Sequence, residues 1–283
     1  MISLLFKPYR GGPLFGRLSS HCFDLEGTSL EFTVPASSWV MKEAPRSLNY
    51  PFRTDGWFGS HCRRSNVREY ISVFFEAWHY CPRGLERIIK LLAMGANDPI
   101  ACLWFSVHLN RTEKGRKIDL TDAQSLGAYI KWEYDDYYES PEQGPYGKGR
   151  NFRVRSECDA KYVKDPYRAN DPFFQQQHQA ALRNYLEPMP QDFALTTFGN
   201  AQWTYFSRKL KVNGSWCDHY CLPLSESYYL EIELKFKFET GIKKRNAIIK
   251  ADMQRTADSI LQHIKVSRAA GVSSPLSLPA SPT

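Results

Sequence analysis

The chain has 283 residues, 42% of them hydrophobic and 24% charged, a balance typical of a globular protein that excludes a chain disordered throughout. Its net charge of +7 permits an acidic partner but does not require nucleic acid. No apolar run approaches the roughly 18 residues of a membrane-spanning helix, and the apolar start is too short for a secretory signal. We therefore expect a cytoplasmic protein without a membrane span.

The seven cysteines are scattered and odd in number, which is typical of reduced thiols. Cys217, His219 and Cys221 alternate along the chain, so a strand would place all three side chains on one face. Structural zinc sites usually take tighter ligand pairs joined by a turn. We therefore expect buried thiols and neither a metal nor another cofactor.

In the first half of the chain, period-2 alternation predicts strands at residues 30–34 and 70–79. In the second of these, Ile71, Val73, Phe75 and Ala77 are expected on one face. Residues 85–95 carry a helical pattern. Residues 100–107 are apolar on both faces, which indicates a central strand.

The middle of the chain contains a capping-box pattern at residues 121–124, and a helix is expected from there to Pro141. A Gly/Pro-rich loop at 141–150, which we expect to be mobile, lies within a long excursion at 139–170. Asp171 followed by Pro172 predicts the start of a further helix, ending near residue 186.

The last third of the chain predicts a meander of four strands followed by a helix. Gly199-Asn200 and Asn213-Gly214 are hairpin turns, and residues 227–239 alternate between a buried and a wet face. The final helix has an apolar stripe of Ile249, Met253, Ala257, Ile260 and Ile264. The predicted fold class is α+β, a mainly antiparallel sheet packed by helices, as a single domain over residues 1–268 with a disordered tail at 269–283.

One catalytic pattern is present on the strand at 227–239. Glu233 and Lys235, with Asp218 upstream, match the acidic residue and E-x-K arrangement of metal-dependent nucleases. Charge alternation on the wet face of a strand explains Glu233 and Lys235 equally well. We therefore expect no catalytic residues and keep the nuclease as the alternative.

Two charged segments are candidate binding surfaces. Arg63 and Arg64, with Arg150, Arg153 and Arg155 expected on a strand, could contact phosphates, but such runs are usually solvated and nucleic-acid binding is not expected. Carboxylates at the C-terminal end of a helix oppose its dipole, and here they adjoin the Gly/Pro loop. This segment is our predicted partner-binding surface, with residues Asp135, Asp136, Tyr138, Glu139, Tyr146 and Lys148.

Several segments resemble bacterial immunity proteins of type VI secretion loci, which neutralise co-encoded toxic effectors, especially lipases. The resemblance is carried by residues 30–35 with Trp39, by Trp203 and Tyr205, by residues 222–225 and 228–230, and by the closing helix. It implies a PsbP-like α/β sandwich and a non-enzymatic protein that occludes the active site of its effector.

Overall fold

The structure, a computed structural model, describes residues 9–37, 40–43, 47–65, 67–84, 88, 99–142, 144, 147–164, 166–211, 214–238 and 243–268. The described strands are β1 (Tyr9–Gly11), β2 (Pro13–Asp24), β3 (Thr28–Ser37), β4 (Val40–Glu43), β5 (Arg63–Arg64), β6 (Glu69–Pro82), β7 (Ala101–Arg111), β8 (Gln191–Phe198), β9 (Ala201–Lys209), β10 (Trp216–Pro223), β11 (Tyr228–Phe238) and β12 (Lys265–Arg268). The described helices are α1 (Trp57–His61), α2 (Ser125–Tyr138), α3 (Arg150–Tyr162), α4 (Pro166–Ala169), α5 (Pro172–Tyr185) and α6 (Lys243–Gln262).

Nine of the described strands form one large antiparallel sheet in the order β1-β6-β7-β11-β10-β9-β8. The short strands β1, β4 and β5 pair with successive parts of the outer edge of β6. The longest ladders join β7 to β6 and to β11, so β7 is central, as its apolar faces predicted. The α+β class and the antiparallel meander at residues 191–238 are confirmed.

The main core lies between one face of the large sheet and a second sheet of order β12-β3-β2 together with α6. Alternate residues of β11 point into this core, and so does the predicted apolar stripe of α6. This confirms the predicted register of β11, because Leu230, Phe236 and Ile249 are all fully buried. We define this side of the large sheet as its core face.

The opposite side of the large sheet, the pocket face, carries α2. Leu126, Ile130 and Tyr134 of α2 pack against Phe206 and Tyr229 of the sheet. Helices α3 and α5 pack on each other around a much smaller cluster of Val154, Cys158 and Ala181. Among the described helices, none combines the length and apolarity needed to cross a bilayer.

Two local predictions, the facing of β6 and the capping box of α2, are wrong. A bulge between Ser72 and Phe74 shifts the register of β6, so Phe74 and Trp78 enter the core in place of Phe75 and Ala77. One inserted residue reverses the facing of every later side chain. The capping box is not formed, because Thr121 donates to Asp119 and α2 begins at Ser125.

The excursion at 139–170 contains the helix α3 over Arg150–Tyr162, so the strand expected around Arg153 and Arg155 is wrong. Asp171 caps α5 as predicted and accepts a hydrogen bond from the backbone of Phe173 at 2.8 Å. The predicted helix at 85–95, apart from residue 88, and the tail at 269–283 lie outside the described residues.

Candidate functional site

The predicted partner surface at the end of α2 is divided by the structure. Tyr138 was expected on the surface, but it is buried. Its ring lies 5.0 Å from that of Tyr137 and 6.1 Å from that of Tyr134. It belongs to the buried cluster that α2 forms with Phe206 and Tyr229 of the large sheet. Tyr138 is therefore removed from any contact surface.

Glu139 has an internal function in the fold. Its Oε1 accepts hydrogen bonds from Asn151 Nδ2 at 3.1 Å and from Arg155 at 2.8 Å, and its Oε2 accepts one from Arg155 Nε at 3.2 Å. Although burial opposes the charged form, the hydrogen bonds from Arg155 and Asn151 lower the pKa of Glu139. The carboxylate at the helix end is thus explained by contacts with α3 and needs no partner.

The remaining predicted partner residues are less constrained. Asp136 Oδ2 lies 3.6 Å from Lys148 Nζ, and both side chains are partly exposed. Asp135 is exposed. Tyr146 lies outside the described residues. Of the predicted surface, Asp135, Asp136 and Lys148 are therefore described, at least partly exposed and not bound to α3.

The arginine patch is not assembled as predicted. Arg153 and Arg155 lie on the helix α3, where residues two apart do not share a face. Arg155 binds Glu139, and Arg150 Nη1 lies 2.9 Å from Glu187 Oε1. Arg153 Nε also lies 3.8 Å from Glu157 Oε1, so all three arginines have ion pairs within the chain.

The nuclease residues lie on two sides of the sheet. Glu233 and Lys235 share the pocket face, as predicted, and Lys235 Nζ lies 4.5 Å from the centroid of the Trp104 ring. Asp218 is paired with Leu234 and lies on the core face, where it accepts hydrogen bonds from Tyr205 and Trp216. These three residues therefore cannot hold one metal ion.

A polar cavity of about 560 Å³ opens on the pocket face, and we call it the sheet pocket. Its walls come from β6, β7, β9, β10 and β11, with α2 and the segment before β6 at one side. Its lining includes Arg68, Trp104, Arg208, His219, Glu231 and Glu233. The wet face predicted for β11 is thus partly enclosed, because α2 covers it near Glu231.

The innermost part of the sheet pocket is a network of buried charges centred on Arg68. The guanidinium reaches Glu133 on α2 at 3.1 Å and Glu231 on β11 at 2.8 Å. Asn110 Nδ2 donates to Glu231 at 2.9 Å, and His219 Nδ1 lies 2.8 Å from its other oxygen. Glu231 therefore uses both carboxylate oxygens to join β7, β10 and the segment before β6.

The two carboxylates that share Arg68 differ in their acidity. Burial raises the pKa of Glu133 to about 7 despite the opposing effect of Arg68. For Glu231, burial is outweighed by Arg68 and by the hydrogen bond with His219, which lower its pKa. One guanidinium cannot compensate the charges of two buried carboxylates. Near neutral pH, Glu231 is therefore ionised and Glu133 is partly protonated.

Beside this network, three donor atoms of different chemistry converge. The Cys217 sulfur, a ring nitrogen of His219 and a carboxylate oxygen of Glu233 all lie within 4.8 Å of one another. The sequence placed Cys217 and His219 on one face of a strand but did not add Glu233, which lies on the next strand. Cys221, the third residue of the alternating set, instead packs with α2.

No protein family matches the chain, and no curated protein or solved structure is significantly similar to it. Function must therefore be inferred from the residues themselves.

Proposed function

We propose that this chain is a non-enzymatic binding protein whose partner is a protein, and specifically a co-encoded toxic effector of the type VI secretion kind. The observation that carries the protein-binding part is a set of exposed aromatic side chains on the helices α3, α4 and α5. The identity of the partner rests on the sequence resemblance. A PsbP-like sandwich belongs to the same proposal.

Residues 150–185, which begin inside the predicted excursion at 139–170 and extend beyond it to the end of α5, are called the helical excursion from here on. This segment contains four of the six exposed aromatic side chains among the described residues. Tyr167 is 92% exposed, Phe173 59% and Tyr185 58%, and Phe152 on α3 is 41% exposed. Apolar residues scattered singly over a surface are ordinary, but aromatic residues concentrated on one segment mark interaction sites. Aromatic side chains are also enriched among the residues that dominate binding free energy.

The excursion buries few of its own apolar side chains. Its buried cluster consists of Val154, Cys158 and Ala181, and most of α5 is exposed. Such a small cluster is a weak source of stability for two helices, because stabilisation follows the apolar area removed from water. A protein partner would supply the missing apolar contact.

Polar contacts instead join the excursion to the rest of the chain. The fully buried Asn151 donates to Glu139 and to the carbonyl of Glu187, and accepts from the backbone of Glu187 at 2.7 Å. Arg155 adds the pair with Glu139. These bonds fix the base of the excursion and leave its aromatic side chains available to a cleft on the partner.

A cytoplasmic location is part of the proposal. None of the seven cysteines is joined in a disulfide, and five of them are buried. This supports a reducing compartment, where disulfides are rare. In that compartment, the chain would bind and neutralise the effector before the effector is exported.

The test is co-expression with the product of the adjacent effector gene, scored by survival of the cells and by the dissociation constant of the purified pair. The variant Tyr167→Ala with Phe173→Ala should weaken binding by about 30-fold or more, the size expected for a residue that dominates an interface. The control is Phe15→Ala on β2, outside the helical excursion. It removes an aromatic side chain about as exposed as Phe152, and this variant should bind as wild type.

Equal binding and protection by the double variant would move the interface away from the excursion. Absence of any binding between the wild-type chain and the adjacent gene's product would reject the effector as the partner.

A further inference from the structure

The convergence of Cys217, His219 and Glu233 follows from the geometry of two antiparallel strands. Cys217 and His219 are two residues apart on β10 and therefore point to the same side. His219 is paired directly with Glu233 on β11. Side chains directly opposite in such a pair have Cβ atoms about 4.5–5.5 Å apart. The three donor groups are therefore held together by the sheet itself.

His219 is held in one orientation by Glu231. Its Nδ1 is 2.8 Å from Glu231 Oε1, and its ring stacks on Phe206 with centroids 4.4 Å apart. Its Nε2 is buried and has no hydrogen-bond partner among the described residues. A buried polar atom without a partner costs free energy. In metal sites, a histidine usually binds the metal through one ring nitrogen and contacts a carboxylate or similar acceptor through the other.

We propose that Cys217, His219 and Glu233 bind a divalent cation of the zinc type, with His219 Nε2 as the nitrogen ligand and Glu231 as the carboxylate that orients it. Thiolate, imidazole and carboxylate are the ligands that zinc takes in proteins. Ligand atoms around a tetrahedral zinc ion lie about 3.3–3.8 Å apart. The three donor atoms now lie within 4.8 Å of one another. Side-chain rotations that move each atom by about 1 Å would bring them into the range for zinc.

The charges favour a cation over a cysteine nucleophile. A nucleophilic cysteine requires a thiolate, which a neighbouring positive charge stabilises. Here burial, and after it the carboxylate of Glu233, raise the pKa of Cys217 and outweigh the charges of Arg208 and Lys235, which lower it. A divalent cation would neutralise the thiolate and the carboxylate together, and metal binding would release the thiol proton.

Two cations lie beside this site. Arg208 is paired with Cys217 in the sheet and lies 5.7 Å from the Tyr134 ring, and Lys235 lies against Trp104. Their positive charges reduce the affinity of the site for a metal ion, but they allow an anion to bind near that ion. His219 and Glu233 line the sheet pocket. With three protein ligands, a water or an anionic ligand entering from the pocket would complete the coordination.

Cobalt(II) reports the site because thiolate ligation gives a sulfur-to-cobalt charge-transfer absorption. The full chain is treated with a chelator and titrated with Co²⁺, then with Zn²⁺ in competition. We expect one equivalent of Co²⁺, a thiolate band, and displacement by Zn²⁺. Cys217→Ser should lose the band. Cys221→Ser, a buried cysteine on the same face of the same strand, should keep it.

Glu233→Gln is a second variant with little risk to folding, because Glu233 is only partly buried. It should keep the band and weaken Co²⁺ affinity at least about tenfold. Circular dichroism and the urea midpoint establish folding of each variant. The proposal is overturned if folded wild type gives no thiolate band, if the band survives in Cys217→Ser, or if Glu233→Gln binds as wild type. None of these outcomes depends on the effector.

Discussion

His219 lies directly opposite Glu233 on the neighbouring strand, yet its hydrogen bond goes to Glu231, the diagonal neighbour. The difference gives the two carboxylates separate functions. Glu231 is held by His219, Asn110 and Arg68 inside the protein, whereas Glu233 remains at the wall of the sheet pocket. The free energy of folding should therefore depend on Glu231, and binding in the sheet pocket should depend on Glu233.

Glu231→Ala should lower the free energy of unfolding by about 3–5 kcal/mol, because it leaves Arg68 charged and buried with Glu133 as its remaining carboxylate. The matched change Glu233→Ala, two residues along the same face, should cost about 0.5 kcal/mol or less in the metal-free protein. Urea unfolding of both variants measures the difference. Equal losses would mean that Glu231 does not hold the network together.

The buried acid Glu133 should make stability depend on pH. Its pKa is raised from 4.5 in a solvated carboxyl to about 7 by burial, against the opposing charge of Arg68. Between those values the native state binds more protons than the unfolded chain. The stability from this group is therefore fully present at low pH and falls as pH rises through the window. The loss should be on the order of 2–3 kcal/mol.

Glu133→Gln should remove this contribution, because the amide stays neutral throughout. The measurement is the free energy of unfolding at about pH 5 and about pH 8, compared between wild type and variant, since other groups also titrate. Glu226→Gln, at an exposed carboxylate paired with Lys117, is the control and should keep the wild-type dependence. An unchanged dependence in Glu133→Gln would show that this carboxyl does not titrate in the window.

The sequence pattern of apolar and polar residues predicted those helices and strands that bury one side in the core and leave the other side outside it. The alternation of β11 and the stripe of α6 hold because each buries one side in a single large core. The strands β2 and β12 were not predicted. They pair with β3 at the edge of the fold, and β2 exposes most of its residues. The strand β12 pairs with a segment distant in sequence, which leaves no local pattern. The strand β2 joins β3 through a short turn at residues 25–27, and its pattern was missed because most of its residues are exposed.

The sheet pocket could be predicted only in part for a related reason. Cys217 and His219 were placed on one face from their spacing alone. Arg68, Asn110 and Glu133 come from three other elements distant in sequence. In the predicted partner surface, Tyr138 is buried because the large sheet covers that side of α2. Glu139 is bound within the chain because the helix α3, which was not predicted, supplies Asn151 and Arg155 as its partners.

Removal of one core side chain tests the packing of β11 against the rest of the core. Phe236 is fully buried and stacks on Trp216 with ring centroids 4.3 Å apart. Phe236→Ala should cost about 3–5 kcal/mol in unfolding free energy. Lys237→Ala, the next residue on the other face, should change it by about 0.5 kcal/mol or less. Similar small effects for both would place Phe236 outside a rigid core.

The turn between β8 and β9 provides a test of how the two sheets are joined. Gly199 has φ of 60°, and its carbonyl accepts a hydrogen bond from Val266 of β12 at 3.0 Å. A Cβ atom at Gly199 would lie 2.5 Å from the carbonyl oxygen of Ile264. Gly214 has a similar φ of 69°, but a Cβ atom there would meet nothing within 4 Å among the described residues.

Gly214→Ala should therefore cost about 1–2 kcal/mol, the strain of a left-handed backbone alone. Gly199→Ala should cost a further ~1–3 kcal/mol, because the backbone of Ile264 must also move away. Hydrogen exchange should in addition show faster exchange of the Val266 amide in Gly199→Ala than in Gly214→Ala. If both variants lose the same stability and protect Val266 equally, the turn does not hold β12 against the large sheet.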